Sequence, residues 1–486
     1  MSDFAGSLRQ KAAAGGRWTA ISAIASLLIQ LIQLAILGRL LNPSDFGLMA
    51  MMMVVIGLAS LLADFGVSNY LVQTKALTGR LFSALFVLCI AGSLLLAGVI
   101  SLAAPLVASY YHTPVLAGLL PALGLVVIAT AAGQPFFALL QREMRFRQIA
   151  IVEAAAAFAG LVVAAAMAMM GYGVWSLIGG QLALAATKAI LCGNMASNLI
   201  RFDWKIHWPD LKSALRFGNF QMGERLLNYA SWNIDKIIVG RILGEGALGI
   251  YSIAYQLVMK PFSILNPVFT RVALPLLSRV QDDDARLTRG YLEMTRTIAL
   301  IAFPIYLFII LASDSIVLLL LGAKWMAASS LIALLGGLGF VYSLGNPIGS
   351  LLLAKGRADW GFYYNGVAVI VYAVAVVVSS NFGLKGVAYG LVIAAAGLLL
   401  TLEFALRWYL VQMSPWVYLR AIGHIVVGTF LPLITGGLVL SFWTPEFGKT
   451  GFDFIIGLLA VAIYFAYLWL ADRALLKNTI DLILKK

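Results

Sequence analysis

Amide, hydroxyl and carboxyl side chains recur at helical spacing inside one long apolar run of this sequence. Gln221, Glu224, Asn228, Ser231 and Asp235 lie three or four residues apart, which places them on one face of a helix. An ionisable group deep in a bilayer costs at least about 2.5 to 3.5 kcal/mol, so it faces a water-filled cavity or a partner. The pattern predicts a polar face that is shielded from lipid.

Basic residues accompany this face and continue into the next apolar run. Arg225 and Lys236 flank the stripe, and Arg271 follows further along. Lys260 lies in mid-span beside Gln256, has no acid three or four residues away, and precedes Pro261. Arg and Lys donate charge-assisted hydrogen bonds to phosphate oxygens. These cations are therefore candidates for binding a phosphorylated cargo.

A repeated phrase relates these residues to the first part of the chain. LGRLLNPSDFGLMA (37–50) recurs as VGRILGEGALGIYS (239–252), and PFFALLQREMRF (135–146) recurs as PIGSLLLAKGRA (347–358). The repeat pairs Gln33 with Asp235, and Asp64 with Asn266. We infer duplication of a six-helix unit, with a pseudo-axis along the membrane normal and a wet central cavity between two lobes.

A structural role for the embedded charges is the alternative. Glu224 and Arg225, like Asp235 and Lys236, are sequence neighbours that point about 100° apart on a helix, so each could be neutralised by another helix. Perturbed charges also serve packing networks. Both interpretations stay open at this point.

Composition establishes the class of protein that must position these groups. The chain has 486 residues, of which 62% are hydrophobic and 11% charged, and its mean hydropathy is +0.95. A soluble domain has about a quarter charged residues, so this is an integral membrane protein, and its long apolar runs predict helices. We predict fourteen spans, starting near residues 17, 46, 81, 116, 148, 174, 217, 247, 292, 327, 361, 384, 417 and 451.

The predicted organisation follows these spans. Residues 1–16 form a cytoplasmic segment, and the first helix is retained, since no cleavage site is visible. The other predicted parts are an N-lobe with helices 1–6 (17–200), a cytoplasmic linker (201–216), a C-lobe with helices 7–12 (217–410), and helices 13–14 with the tail (411–486).

The positions of the basic residues predict the orientation. Of the 34 Lys and Arg residues, the loops after odd-numbered spans hold only Arg39, Arg241, Lys324, Lys385 and Lys449. Cytoplasmic loops retain basic residues, so both termini are predicted to be cytoplasmic. The net charge of +13 reflects topology and gives no reason to expect nucleic acid as a partner.

Metal and nucleotide chemistry find no support in the sequence. Cys89 and Cys192 lie in apolar runs, which gives neither a disulfide framework nor a zinc spacing. The three histidines are scattered. The GKT at 448–450 lacks the leading glycine of a phosphate loop, because Trp443 occupies that position. We expect no metal and no cofactor.

Several phrases together resemble a known family. The basic start with Trp18, the phrase LGRLLNPSDFGLMA and the run DFGVSNYLVQ (64–73) are similar to the polysaccharide-exporter branch of the multidrug/oligosaccharidyl-lipid/polysaccharide (MOP) superfamily. Within that branch, the chain looks most like the Wzx-type flippases of the colanic-acid-exporter group. The resemblance covers essentially the whole chain and does not specify the sugar.

The resemblance implies an all-α transporter with two six-helix lobes around a cavity and a C-terminal helix pair. It implies movement of undecaprenyl-diphosphate-linked oligosaccharide units from the inner to the outer leaflet of the bacterial inner membrane, by alternating access and without enzymatic chemistry. The polysaccharide polymerase machinery is a further candidate partner. The predicted substrate-binding residues are Arg225, Lys236, Lys260, Arg271, Asn228, Gln221, Gln33 and Gln256, and the predicted H⁺- or Na⁺-coupling residues are Asp64, Glu224 and Asp235.

Two other functions, a multidrug antiporter and a membrane-bound enzyme, are the alternatives. An ion-coupled multidrug antiporter of the same superfamily would favour a net acidic cavity, whereas the candidates here include four basic and three acidic residues. A membrane-bound lipid-linked glycosyltransferase or polymerase would need a sizeable loop with a catalytic carboxylate, and the outer loops are short.

Overall fold

The computed structural model is helical throughout the residues that it describes. The backbone is described for residues 2–64, 66–74, 77–200, 202–203, 208–442, 449–473 and 475–477, and side chains for these residues except 2–17, 19–21, 208–225, 271–272, 358 and 449–450. The predicted all-α fold class is confirmed.

Seventeen α-helices are described in chain order. They are α1 (Ser2–Leu40), α2 (Pro43–Ala63), α3 (Val67–Gln73), α4 (Gly79–Tyr111), α5 (Leu116–Arg142), α6 (Phe146–Met169), α7 (Val174–Ala196), α8 (Trp208–Ser278), α9 (Asp284–Leu311), α10 (Ser313–Leu320), α11 (Met326–Gly345), α12 (Ile348–Ala354), α13 (Ala358–Ser380), α14 (Gly383–Leu398), α15 (Phe404–Val411), α16 (Pro415–Phe442) and α17 (Lys449–Ala471). A π-helical turn, Leu399–Glu403, joins α14 to α15.

Thirteen helical segments of the described chain are long and apolar enough to cross a membrane. One of them, Leu226–Ser278 in α8, is 53 residues long, which at 1.5 Å per residue is enough for two crossings. It contains Gly244 with φ 82° and ψ 179°, a conformation that only glycine adopts readily. Counting this segment as two spans reconciles the structure with the fourteen predicted spans.

Polar residues next to the apolar runs determine where several helices begin. Thr78 Oγ1 accepts a hydrogen bond from Leu81 N at 3.2 Å and so caps α4. Asp283 Oδ1 accepts from Ala285 N and Arg286 N and caps α9. Such caps satisfy amide groups that have no partner within the helix, and so they stabilise the first turn of α4 and of α9.

The chain divides into two compact units, Met1–Gly249 and Ile250–Lys486. The boundary lies within α8, shortly after Gly244. The lobe boundaries predicted from the sequence (17–200 and 217–410) and the linker between them stay a prediction.

Small residues allow close helix packing in the first unit. A Cβ at Gly133 would lie 2.9 Å from Ala189 Cα, so α5 and α7 approach closely. A Cβ at Gly160 or at Gly180 would crowd α7 or α6 in turn. Van der Waals packing between small residues is a main source of helix association in lipid. The core of this unit at one end of the bundle is apolar and includes Phe82, Leu85, Cys89, Leu139 and Cys192.

The core of the second unit contains a buried ion pair. Arg407 is fully buried and donates through Nη2 to Glu403 Oε2 and through Nε to Tyr291 Oη, both at 2.8 Å. Tyr364 Oη donates to Glu403 Oε1 at 3.0 Å. Tyr418 packs its ring 4.5 Å from the Arg407 guanidinium. A charge pair buried in this way needs every one of these contacts to offset its desolvation.

The repeat seen in the sequence is visible in matching turns. After α5, Met144 has φ 53° and Arg145 N donates to Leu140 O. After α12, Gly356 has φ 68° and Arg357 N donates to Leu352 O. Both turns end a helix with a left-handed residue and a bond that spans the turn, as duplication predicts.

Candidate functional site

A cavity of about 870 Å³ lies within the first unit. Helices α2, α3, α4, α5 and α8 contribute its walls. The lining residues are Ser60, Leu61, Ala63, Asp64, Asn69, Cys89, Val127, Thr130, Ala131, Gln134, Asn228, Tyr229 and Trp232.

A break between α2 and α3 supplies the carboxylate of the cavity. Asp64 ends α2, and Gly66, with φ 73°, allows the chain to restart as α3 at Val67. Asp64 Oδ1 accepts from Ser68 Oγ at 2.5 Å and from Ser68 N at 3.3 Å, which ties the two helices together. Interrupted helices within a membrane are tolerated where they border protein or water, and transporters use them for binding.

Helix α5 presents two more polar groups. Thr130 and Gln134 are four residues apart and therefore share one face of the helix. Gln134 directly precedes Pro135, which lies inside α5. Their hydroxyl and amide groups face the same void as Asp64.

Helix α8 forms the remaining wall with Asn228, Tyr229 and Trp232. Tyr229 Oη donates to Val54 O at 2.8 Å and packs against Gly57, so it joins α8 to α2. Asn228 is exposed, and Trp232 is 38% exposed. One aromatic anchor thus holds the wall while an amide and an indole ring remain accessible.

The cavity offers the groups that bind a neutral polyhydroxylated molecule. Its described lining has a carboxylate, three amides and several hydroxyls, and it contains no Lys or Arg. Amides and carboxylates can replace the hydrogen bonds that sugar hydroxyls make with water. Trp232 adds an apolar, amphipathic ring against which a pyranose face can pack.

Two of the predicted site residues, Asp64 and Asn228, come together in this cavity. Four others, Gln221, Glu224, Arg225 and Arg271, have side chains outside the described residues. Their predicted roles stay predictions.

Lys236, Asp235 and Gln33 lie elsewhere in the first unit. Lys236 Nζ donates to Trp232 O at 3.2 Å and to Asn233 Oδ1 at 3.0 Å, along its own helix. Asp235 is 4% exposed, and Gln33 is half-buried on α1. None of these three lines the cavity.

Lys260 and Gln256 belong to the second unit. Gln256 is exposed and Lys260 is half-buried, and the Lys260 carbonyl accepts from Ser263 Oγ at 2.8 Å. Asn266 on the same helix accepts at Oδ1 from Asn346 Nδ2 at 2.6 Å. The binding role predicted for Lys260 stays a prediction.

The two copies of the phrase at residues 37–50 and 239–252 pack against each other. A Cβ at Gly47 would overlap the Glu245 carbonyl, and a Cβ at Gly249 would overlap the Pro43 carbonyl. The two contacts are equivalent under the repeat. Glycine is therefore required at both positions because two backbones meet there.

Several polar residues escaped the sequence interpretation. Thr130 and Gln134 line the cavity, and alignment of Gln134–Pro135 with Asn346–Pro347 could have drawn attention to them. Glu153 Oε2 accepts from Ser22 Oγ at 2.6 Å, and Lys188 Nζ lies 4.1 Å from the Phe137 ring centroid. These two residues were missed because a single acid or base in an apolar run does not form a polar face with helical spacing.

The described residues contain no group of three or more His, Cys, Asp or Glu side chains that could hold a metal ion. The expectation of no metal and no cofactor therefore stays a prediction.

Comparisons with known proteins add a family and a fold. The family model described as polysaccharide biosynthesis protein matches residues 36–330. Lipopolysaccharide biosynthesis protein WzxC of Escherichia coli (strain K12) is 31% identical over 385 residues, which cover 79% of this chain and 78% of that protein. Teichuronic acid biosynthesis protein TuaB of Bacillus subtilis (strain 168) is 30% identical over 369 residues, which cover 76% of each chain.

A solved structure, the lipid II flippase MurJ in an inward closed conformation, matches with a TM-score of 0.72. The match covers 94% of this chain and 98% of MurJ at 13% identity, so it is a likeness of fold alone. The resemblance to the polysaccharide-exporter branch is confirmed.

Proposed function

Because this chain belongs to the polysaccharide biosynthesis protein family, we propose that it moves undecaprenyl-diphosphate-linked oligosaccharide units from the cytoplasmic to the outer leaflet of a bacterial inner membrane. The observation that carries the proposal is the cavity of about 870 Å³ lined by Asp64, Gln134, Asn228 and Trp232. Its polar groups suit a saccharide, and it lies in a helical membrane protein. We propose that both termini are cytoplasmic, because few basic residues lie in the loops of the opposite side.

The barrier that such a cavity lowers is the desolvation of the sugar. Each hydroxyl that enters hydrocarbon without a partner costs roughly 2 to 7 kcal/mol, so a headgroup with many hydroxyls does not cross unaided. Asn228, Gln134 and Asp64 supply replacement hydrogen bonds during passage. The isoprenoid tail stays in the bilayer while the cavity opens alternately to each side.

The diphosphate supplies a driving force in the proposed direction. Moving about two negative charges out of a cell that is negative inside is favourable by about 4 to 5 kcal/mol at 100 mV. Lys260 and Lys236 are the described cations proposed to contact it. Strict coupling to H⁺ or Na⁺ is not required, although Asp64 and Asp235 are the described carboxylates available for it.

Transport without catalysis is part of the proposal. The accumulated outer-leaflet units are substrates for a polysaccharide polymerase, and that machinery is the proposed partner.

The test is deletion of the gene followed by identification of the lipid-linked oligosaccharide that accumulates and of its leaflet. Wild-type protein should restore outer-leaflet units. Asn228→Leu and Thr130→Val should restore about a tenth or less at equal protein level, because each removes a hydrogen-bonding group from the cavity. Thr435→Val is the matched control, since Thr435 is exposed on α16 and bonds only within its helix, to Leu431 O and Pro432 O. Accumulation in the outer leaflet of the deletion strain would contradict the proposal.

An ion-coupled multidrug antiporter is the second candidate. One observation favours it: Asp64 is a carboxylate in a cavity whose described lining holds no Lys or Arg, and an aromatic ring with a carboxylate also suits organic cations. Efflux of dye cations from cells that express the protein, lost in Asp64→Asn, would favour this candidate. Oligosaccharide accumulation in the deletion strain without dye efflux favours the flippase.

A further inference from the structure

A second cavity of about 870 Å³ lies within the second unit. It is a groove between the start of α13, the end of α15 and the start of α16. The residues that matter here are Arg357, Asp359, Trp360, Tyr363, Val367 and Tyr409. We refer to it as the aromatic groove.

The aromatic groove lies where the apolar segment Asp359–Ser380 begins and the apolar segment Gly383–Val411 ends. Arg357 directly precedes α13, and α15 ends at Val411. Its rings are unusually accessible, since Tyr363 is 67% exposed and Trp408 and Tyr409 are each 58% exposed. Tyr and Trp are enriched at the headgroup level of bilayers, where one end of the ring is apolar and the other is wet.

Opposite charges lie side by side in the aromatic groove. Arg357 Nε and Nη2 donate to Asp359 Oδ1 and Oδ2, both at 3.2 Å. The guanidinium also lies 4.8 Å from the Trp360 ring centroid, and Trp360 stacks on Tyr409 at 4.6 Å. Hydrogen bonding by the Tyr409 side chain, followed by Asp359, raises the pKa of Arg357. The pair is charged and is held in place by the stacked rings.

An apolar track continues from the groove toward the middle of α13. Val367, Ile370 and Val374 follow Tyr363 at intervals of three or four residues on α13, and they are 43%, 65% and 57% exposed. Residues at this spacing line one face of a helix. A hydrocarbon chain anchored in the groove would lie along this face.

The first repeat lacks this combination. The position equivalent to Asp359 is Arg147, and the position equivalent to Trp360 is Gln148. Arg145, the equivalent of Arg357, donates to Gln148 Oε1 at 3.4 Å. The first repeat therefore has a second cation at the position where the second repeat has the acid Asp359.

We propose that the aromatic groove binds a zwitterionic phospholipid of the phosphatidylethanolamine type, with its phosphate at Arg357, its ammonium at Asp359 and an acyl chain along the α13 track. The charge complementarity carries this assignment: a headgroup with both signs can bind each member of the pair, while an anionic headgroup would meet the Asp359 carboxylate. Arg suits phosphate recognition, and the rings around it provide cation–π contacts for an ammonium group. This proposal does not rest on the transport function.

The test uses the full-length protein after detergent exchange, with phosphatidylethanolamine, phosphatidylglycerol or undecaprenyl phosphate added at equal concentration. Native mass spectrometry counts the retained lipids. Wild-type protein should retain one phosphatidylethanolamine at least about threefold more than either other lipid. Asp359→Asn should lower this ratio to about one or less, because the ammonium loses its partner, and Arg357→Gln should lower retention of every lipid.

Matched surface variants separate the groove from general lipid adhesion. Arg286→Gln changes an exposed arginine that pairs with Asp283, and Asp282→Asn changes an exposed acid, so both should behave as wild type. Thermal unfolding of each variant checks that the fold is intact. A wild-type preference for phosphatidylglycerol or undecaprenyl phosphate would overturn the proposal, as would an unchanged ratio in Asp359→Asn.

Discussion

Asp64 with Gln134 in the first unit and Asn266 with Asn346 in the second occupy equivalent positions of the repeat. In the first unit both side chains line a cavity of about 870 Å³. In the second unit the two amides bond directly to each other at 2.6 Å. The same helix positions therefore hold groups that line a cavity in one unit and groups that bond to each other in the other.

The cores of the two units also differ, since an apolar cluster is described in the first and a buried ion pair in the second. The first unit has the apolar cluster around Leu139 and Cys192. The second unit buries Glu403 and Arg407, which need Tyr291 and Tyr364 to satisfy them. Among the described residues, polar groups thus line a cavity in the first unit and bond to one another inside the second.

The largest expected effect is on the buried pair. Removal of one partner leaves an uncompensated charge, which costs about 3 to 5 kcal/mol, so Arg407→Ala should lower the thermal unfolding midpoint strongly. Asp64→Ala should lower it by less, because it removes the hydrogen bonds from Ser68 but leaves no buried charge without a partner. Cys192 is 0% exposed, so in a Cys89→Ala background its labelling by a thiol-reactive dye reports unfolding in detergent.

The control is the double variant Glu403→Gln with Arg407→Met. It removes both charges and should recover much of the stability lost in Arg407→Ala. The contrast between the units fails if Asp64→Ala destabilises the protein as much as Arg407→Ala does.

The next effect tests the contact that the two copies share. Gly47→Ala and Gly249→Ala each place a Cβ on a backbone carbonyl, and overpacking of this kind costs about 1 to 3 kcal/mol. We expect similar losses of thermal stability at the two positions. Gly246→Ala is the control, since a Cβ there meets nothing within 4 Å. Unequal losses would show that the repeats differ at this contact too.

The smallest expected effect is the coupling energy within each pair, Asn266 with Asn346 and Asp64 with Gln134. A double-mutant cycle of Asn266→Ala and Asn346→Ala should give a coupling energy of about 1 kcal/mol, the net value of a typical hydrogen bond. The same cycle for Asp64→Ala and Gln134→Ala should give a coupling near zero, measured by the same unfolding assay. Equal coupling in both cycles would remove the contrast.

The sequence predicts the helical class, the spans and the duplication because these depend on hydrophobic length and on repeated phrases. The break after Asp64 and the kink at Gly244 were harder to predict from the sequence, because each depends on a single glycine with a positive φ. Spans 7 and 8 were predicted separately, and the non-helical backbone at Gly244 divides α8 between them. A glycine inside an apolar run does not reveal whether the chain turns or continues.

For the site, helical spacing identified Asn228, and the repeat drew attention to Asp64. Thr130 and Gln134 were missed because cavity lining depends on which helices α5 faces, which periodicity does not encode. The Glu403–Arg407 pair was missed for the same reason: two charges four residues apart predict a contact, but their burial is set by Tyr291 and Tyr418 from distant parts of the chain.

The central claim is that the cavity of the first unit is hydrated and receives the polar part of the cargo. The most direct test is thiol labelling of Asn228→Cys in a Cys89→Ala background, in native membranes, with methanethiosulfonate reagents that do not cross lipid. Cys192, which is 0% exposed, stays as the internal control.

The account predicts rapid labelling of Asn228→Cys, faster with a cationic than with an anionic reagent because Asp64 lines the same cavity, while Cys192 stays unmodified. If Asn228→Cys reacts no faster than Cys192, the cavity is dry or closed to water, and the proposed transport site is contradicted.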